Sequence, residues 1–139
     1  MLNQRDNRYN PSISLLRKLG GEYLQKEHSR RSSDVDEALQ DVMSAKECAE
    51  AFCTKNDEYK AAFEAIKANM GGTHAGSKGF LLDILEDEFV TPDCGMGYSV
   101  LFRYGMCLIN LSLAENRLDE IDQALWKYNV DCAAKNKRG

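Results

Sequence analysis

The stretch GGTHAGSKG, Gly71 to Gly79, carries the residue types of a phosphate cradle. Gly71 and Gly76 have the glycine spacing of a G-x-x-x-x-G-K-[ST] loop. In such a loop main-chain N–H groups wrap the phosphates, the lysine reaches the β/γ positions and the hydroxyl holds Mg²⁺. Here the last pair is reversed, Ser77 before Lys78, and the run ahead of the loop is helical where a phosphate loop follows a strand. The stretch therefore reads as an interhelix linker: two glycines stop one helix and Ser77 opens the next. Free N–H groups at that start, with Lys78 beside them, form at most a loose anion site.

The thiols come next. Five cysteines stand at positions 48, 53, 94, 107 and 132, with two histidines, His28 and His74. Structural zinc asks for two close ligand pairs. Cys48 and Cys53 are five apart and each histidine stands alone, so neither a metal nor another cofactor is expected. Cys94, in TPDCGMG ahead of a helix start, is a candidate nucleophile, and His74 in the other glycine loop is its candidate base. Nothing in the spacing brings the two together, and an ordinary loop thiol is the simpler expectation.

The polar clusters are more informative. In DILEDEF, Asp83, Glu86 and Asp87 share one helical face, with Glu88 next to them. Like charges so close disfavour one another unless a cation or a basic partner is near. A solvated face beside Lys67 or Lys78 is the plain reading, and a protein contact is the functional one. A second cluster is basic. RDNRY and HSRRS place Arg5, Arg8, Arg30 and Arg31 near tyrosines, a combination that can hold phosphate and stack on bases. An overall pI near 5.2 opposes nucleic-acid binding. FLLDILEDEF is too acidic to be a groove-reading helix.

The elements that position these groups are helical throughout. Ser12 caps a first run in which Ile13, Leu16, Leu19, Tyr23 and Leu24 fall near helical spacing. Gly20-Gly21 within it either kinks the helix or admits a close neighbour. Ser33 with Asp36, and Asp34 with Glu37, have capping-box spacing and start a second helix. Its apolar stripe is Val35, Ala38, Leu39, Val42, Ala45, Ala49 and Phe52. Thr54 or Asn56 caps a third, with Tyr59, Ala62, Phe63, Ile66 and Met70 inward, although one helix over 34–70 also fits. SKGFLLDILEDEFV gives a short helix with Phe80, Leu81, Ile84 and Leu85 inward and Phe89 as a further inward candidate. Pro92 and two glycines end it. YSVLFRYGMCLINLSLAE is apolar nearly all round, the mark of a central helix; GYSVLFRYG within it is the one candidate strand. Asn116 caps a last helix, yet the spacing 101, 104, 108, 111, 118, 121, 125, 128 equally allows one long helix. Trp126 is placed to be exposed and is a candidate contact hot spot.

Composition agrees with this layout. The chain has 139 residues, 43% hydrophobic and 29% charged, with two prolines. That is one domain of ordinary core-forming content, rich in helix formers. The net charge of −4 conceals an asymmetry. Residues 1–31 carry seven Lys/Arg against three Asp/Glu, residues 32–90 five against thirteen, and residues 91–139 six against six. No apolar run is long enough to span a bilayer. The polar opening MLNQRDNRYN does not resemble a secretory leader, and an odd number of cysteines fits a reducing, cytoplasmic setting.

The expected architecture is an all-α, single-domain compact bundle of five or six helices over residues 12–134, between an irregular basic arm (1–11) and a basic tail (135–139). The expected function is that of a small non-enzymatic protein-binding protein: a regulator, inhibitor or assembly factor acting by surface contact, of the kind phages and mobile elements often encode. Asp83, Glu86, Asp87, Tyr98 and Trp126 are its expected partner-binding residues, and a homodimer is one form the contact could take. The alternative is a nucleic-acid-associated factor using Arg5, Arg8, Arg30 and Arg31.

Overall fold

A computed structural model describes residues 20–71 and 75–138. The described chain is all-α, with no strand: α1 (Gly21–Lys55), α2 (Lys60–Met70), α3 (Lys78–Asp87) and α4 (Met96–Arg138), plus 3₁₀ turns at Asp57–Tyr59 and Pro92–Cys94. Among the described residues four α-helices stand where five or six were expected, because two expected junctions are continuous. No glycine or proline interrupts residues 22–55, so the capping-box residues Ser33 and Asp34 lie within α1. Asn116 likewise lies inside α4, which runs on to Arg138 through most of the expected tail. The candidate strand GYSVLFRYG is the first part of α4. A single helix over 34–70 is ruled out by the break at Asn56, whose side-chain amide donates to the Phe52 carbonyl at 2.9 Å. Ser12, Ile13, Leu16 and the basic arm lie outside the described residues.

Contacts divide the chain into two compact units. The larger, residues 34–115, packs the second part of α1, α2, α3 and the first part of α4 around one core. From α1 come Val42, Ala45, Ala49 and Cys53; from α2 Ala62, Phe63, Ile66 and Met70; from α3 Leu81, Ile84 and Leu85; from α4 Leu101, Tyr104, Leu108 and Ile109. Most of these recur at intervals of three and four, the spacing of one helical face. Each large side chain removed from water contributes about 1.5–3 kcal/mol. Leu39, expected in the α1 stripe, is 43% exposed; it falls beside the row Val42–Ala45–Ala49, not on it.

Two tight contacts set helix positions in this unit. Leu81, fully buried, lies so close to Gly105 that a β-carbon there would overlap its Cδ1. Only glycine lets α3 approach α4 this far. The buried Ser112 hydroxyl on α4 accepts the Ala75 N–H at 3.4 Å and ties down the end of the 71–77 linker.

The smaller unit, residues 20–33 and 116–138 among those described, is an antiparallel helix pair. Its core is Leu24, Ile121 and Ala124, flanked by Leu118, Leu125 and Tyr128. The Gly20-Gly21 pair leads into the helix and admits a neighbour. Gly20 takes φ +92°, α1 begins at Gly21, and a β-carbon at Gly21 would sit 2.8 Å from Tyr128 Cε2. One turn beyond Leu24 the stripe becomes charged. Glu27 and Arg31 are 8% and 3% exposed, with Arg31 Nε on Glu27 Oε2 at 2.8 Å. Arg31 Nη1 donates to the Arg117 main-chain carbonyl at 2.9 Å and lies 3.6 Å from Glu120. Arg30 completes the cluster from the solvent side, through Nε at 3.1 Å and a second contact from Nη2. Burial works to raise the Glu27 carboxyl, but hydrogen bonds and charge from Arg30 and Arg31 together outweigh it and hold the group below its ordinary value.

Two outcomes follow. Gly105→Ala gains helix propensity but must displace an enclosed Leu81, for a net loss of about 1–2 kcal/mol. Chemical denaturation of Gly105→Ala, Leu81→Ala and the double variant should show the double losing less than the sum of the singles. For Glu27 the folded carboxyl titrates lower than the unfolded one. Its stabilisation is therefore fully present above about pH 4.3, the ordinary carboxyl value, and is lost as pH falls through the lowered folded value. A Glu27→Gln variant should show a flatter fall in stability between about pH 5 and 2.5 than the parent chain, read from thermal midpoints across that range.

Candidate protein-binding face

The acidic helix is placed by its apolar side. The Ser77 hydroxyl accepts the Phe80 N–H at 3.2 Å, the N-cap that the sequence predicts. Leu81, Ile84 and Leu85 then turn into the core. Three-point-six residues per turn leave Asp83, Glu86 and Asp87 outside, and all three are exposed. No described lysine or arginine lies within ion-pairing distance of them. Lys67 pairs with Glu64 at 3.4 Å and lies 4.8 Å from the Phe63 ring centre, while Lys78 lies 5.8 Å from that of Phe102. Both lysines proposed as local counter-ions are thus engaged elsewhere.

The end of α3 departs from expectation. Phe89 is 87% exposed, not inward, and adopts φ +62°. Glu88 N–H bonds the Ile84 carbonyl at 3.1 Å, Phe89 N–H that of Glu86 at 2.9 Å, and Val90 N–H that of Leu85 at 2.7 Å. These last two bonds, with Val90 and Leu85 both buried, form a Schellman closure. Glycine normally fills its left-handed position. Phenylalanine there costs about 1–2 kcal/mol in backbone strain. Phe80, also expected inward, is 41% exposed and packs towards Gly76.

The following turn is pinned by one sulfur. Cys94 Sγ receives the Thr91 N–H at 3.4 Å, lies 3.7 Å from Thr91 Oγ1 and donates to the Phe89 carbonyl at 3.8 Å. Gly95 takes φ +61° and opens the way into α4. The Tyr59 ring packs against Gly97, 2.5 Å from where a β-carbon would stand. Its phenol is pushed above its ordinary value by loss of solvent, with the neighbouring Cys94 thiol adding to the effect. Tyr98 is half-buried and stacks on Phe102 at 5.4 Å.

Between α3, this turn and Tyr98 lies a groove of about 210 Å³. Leu82, Val90, Pro92 and Tyr98 supply apolar walls, and Asp83 and Glu86 the charge. A second groove, between the end of α1 and α2, balances Glu50 and Glu64 with Lys60 and Lys67. The 83–98 groove has acid without base. It joins Asp83, Glu86 and Tyr98, three of the five residues singled out from sequence; Asp87 stands next to them on α3. Trp126 belongs to the smaller unit, on α4, and is 65% exposed. Of the basic residues, Arg30 is exposed and Arg31 is buried in the Glu27 cluster, while Arg5 and Arg8 lie outside the described residues. His74, the proposed base for Cys94, also lies outside them. All five thiols are free, and no group of three His, Cys, Asp or Glu side chains converges among the described residues.

No family model, curated protein or solved structure matches this chain. The face must be read from its own chemistry. Sequence periodicity did not reveal Phe89, because position 89 continues the buried row of Leu81 and Leu85 only if the helix continues. An aromatic ahead of Val-Thr-Pro, with no glycine to close the helix, was the available signal.

Phe89→Gly removes the left-handed strain of about 1–2 kcal/mol and loses about 0.4–1 to the freer unfolded chain. An exposed ring forfeits little packing. A net gain of about 0.5–1 kcal/mol is expected, seen as a higher urea midpoint at unchanged slope.

Proposed function

We propose that this chain is a non-enzymatic protein-binding protein, acting as a regulator, inhibitor or assembly factor through the α3 face, and that its partner presents a basic surface. The observation that carries this reading is an exposed carboxylate row, Asp83, Glu86 and Asp87, without described counter-ions and beside an apolar groove. A self-contained fold gains nothing from leaving like charges together. A cationic partner relieves their repulsion, speeds association and fixes orientation. The mechanism is steric and electrostatic: the bound face occludes or aligns the partner. No helix among the described residues is long and apolar enough to cross a membrane.

The test compares the parent chain, the triple reversal Asp83→Lys, Glu86→Lys, Asp87→Lys, and an arm variant, Arg5→Gln, Arg8→Gln, Arg30→Gln. Arg31 stays intact because it supports the fold. Each chain is immobilised, checked for helicity by circular dichroism and exposed to native host lysate, with retained proteins quantified by mass spectrometry. The expected result is a defined set of proteins that falls at least about tenfold on the triple reversal, roughly 1.4 kcal/mol, and persists on the arm variant. An unchanged set on the reversed chain would remove this face from the function. Loss on the arm variant, with nucleic acid among the retained material, would favour the basic arm instead.

A further inference from the structure

We propose that the 83–98 groove, with Phe89 at its edge, receives a short basic segment of the partner: one large apolar side chain enters the groove, flanking Lys or Arg meet Asp83 and Glu86, and the Phe89 ring closes over the segment. This rests on the function proposed above and specifies the partner's chemistry.

Size decides what can enter. About 210 Å³ lies below the ~300–1,000 Å³ of small-molecule sites. It suits a single large side chain, not a cofactor. Charge decides what surrounds that side chain. From Phe80 to Tyr98 the chain carries five carboxylates, Asp83, Glu86, Asp87, Glu88 and Asp93, and no Lys or Arg. A second copy would bring the same acidic face, and phosphate-bearing partners would be repelled equally.

Phe89 supplies the third argument. It is the most exposed of the described large hydrophobic side chains and sits in the conformation least suited to it. Folding alone favours glycine at this position, so a ring here answers to something other than the fold. Its main chain is held at both ends, by the Glu86 carbonyl at its N–H and by Cys94 Sγ at its carbonyl. A ring on so fixed a backbone loses little freedom on binding, the property of an aromatic anchor. Its N–H bonds the Glu86 carbonyl and its neighbour Val90 lines the groove, so its backbone borders the groove and its exposed ring is open to a segment seated there.

The test uses phage-displayed random dodecapeptides selected on the full-length chain, with the enriched sequence synthesised, labelled and titrated by fluorescence anisotropy. The expected enriched sequences carry one large apolar residue flanked by two or more Lys or Arg. Their affinity should fall at least about tenfold for Phe89→Gly, with a urea midpoint no lower than the parent's to exclude misfolding as the cause. It should fall similarly for Asp83→Lys with Glu86→Lys, and weaken with salt. Enriched peptides without basic residues, no enrichment at all, or undiminished binding to Phe89→Gly would each overturn the inference. Lysate proteins lost on charge reversal but kept on Phe89→Gly would leave the broader function standing while this inference fell. A concentration-dependent dimer dissociated by Phe89→Gly would replace the basic segment with a second copy.

Discussion

The seating of Leu81 against the bare backbone of Gly105 is the contact on which the candidate face depends. A glycine inside a long helix costs about 1 kcal/mol relative to alanine. Here that cost is offset by burying a whole leucine side chain and by drawing α3 onto α4. Once Leu81 points at α4, helical geometry dictates the rest. Ile84 and Leu85 follow it inward, and Asp83, Glu86 and Asp87 have nowhere to go but out. The groove exists because α3 ends close to the start of α4, where Tyr98 forms its opposite wall.

Much of this was legible in residue order, and the failures share a cause. The α2 row Ala62, Phe63, Ile66 and Met70 could be read directly, because a short helix bounded by Asn56 and Gly71 has one apolar side. The Ser77 cap was legible for the same reason: its partner is three residues away. Expectation failed where a distant contact overruled a local signal. Ser33 and Asp34 have the spacing of a helix start, yet the stripe on α1 continues beneath them, and a cap residue within a helix simply faces outward. Arg30 and Arg31 are equivalent as letters. Only the presence of Arg117 and Glu120 on α4 separates the buried one from the exposed one. Phe89 was misplaced because a repeat of 3.6 residues predicts direction only while the helix lasts.

The end of α3 shows how a fold holds a strained residue without distortion elsewhere. Val90 must be buried against Leu85, and the two hydrogen bonds of the closure serve that burial. The residue between them has to take a positive φ whatever its side chain. Cys94 fixes the far side, so strain at Phe89 cannot relax by moving the loop. Local rules and global packing conflict here, and such conflicts concentrate where a surface has a task besides folding.

The Glu27–Arg31 cluster has a different consequence, which concerns sliding. Apolar seams between antiparallel helices tolerate displacement by a turn, since one leucine fits much like the next. A guanidinium that reaches the Arg117 main-chain carbonyl does not. A shift of one turn, about 5.4 Å, would carry Glu27 and Arg31 along together but take the buried guanidinium off the Arg117 carbonyl and away from Glu120, leaving its outer N–H groups in an apolar seam. The pair of helices in the smaller unit therefore has a ratchet tooth: it resists shear along its axis far more than its few apolar contacts would.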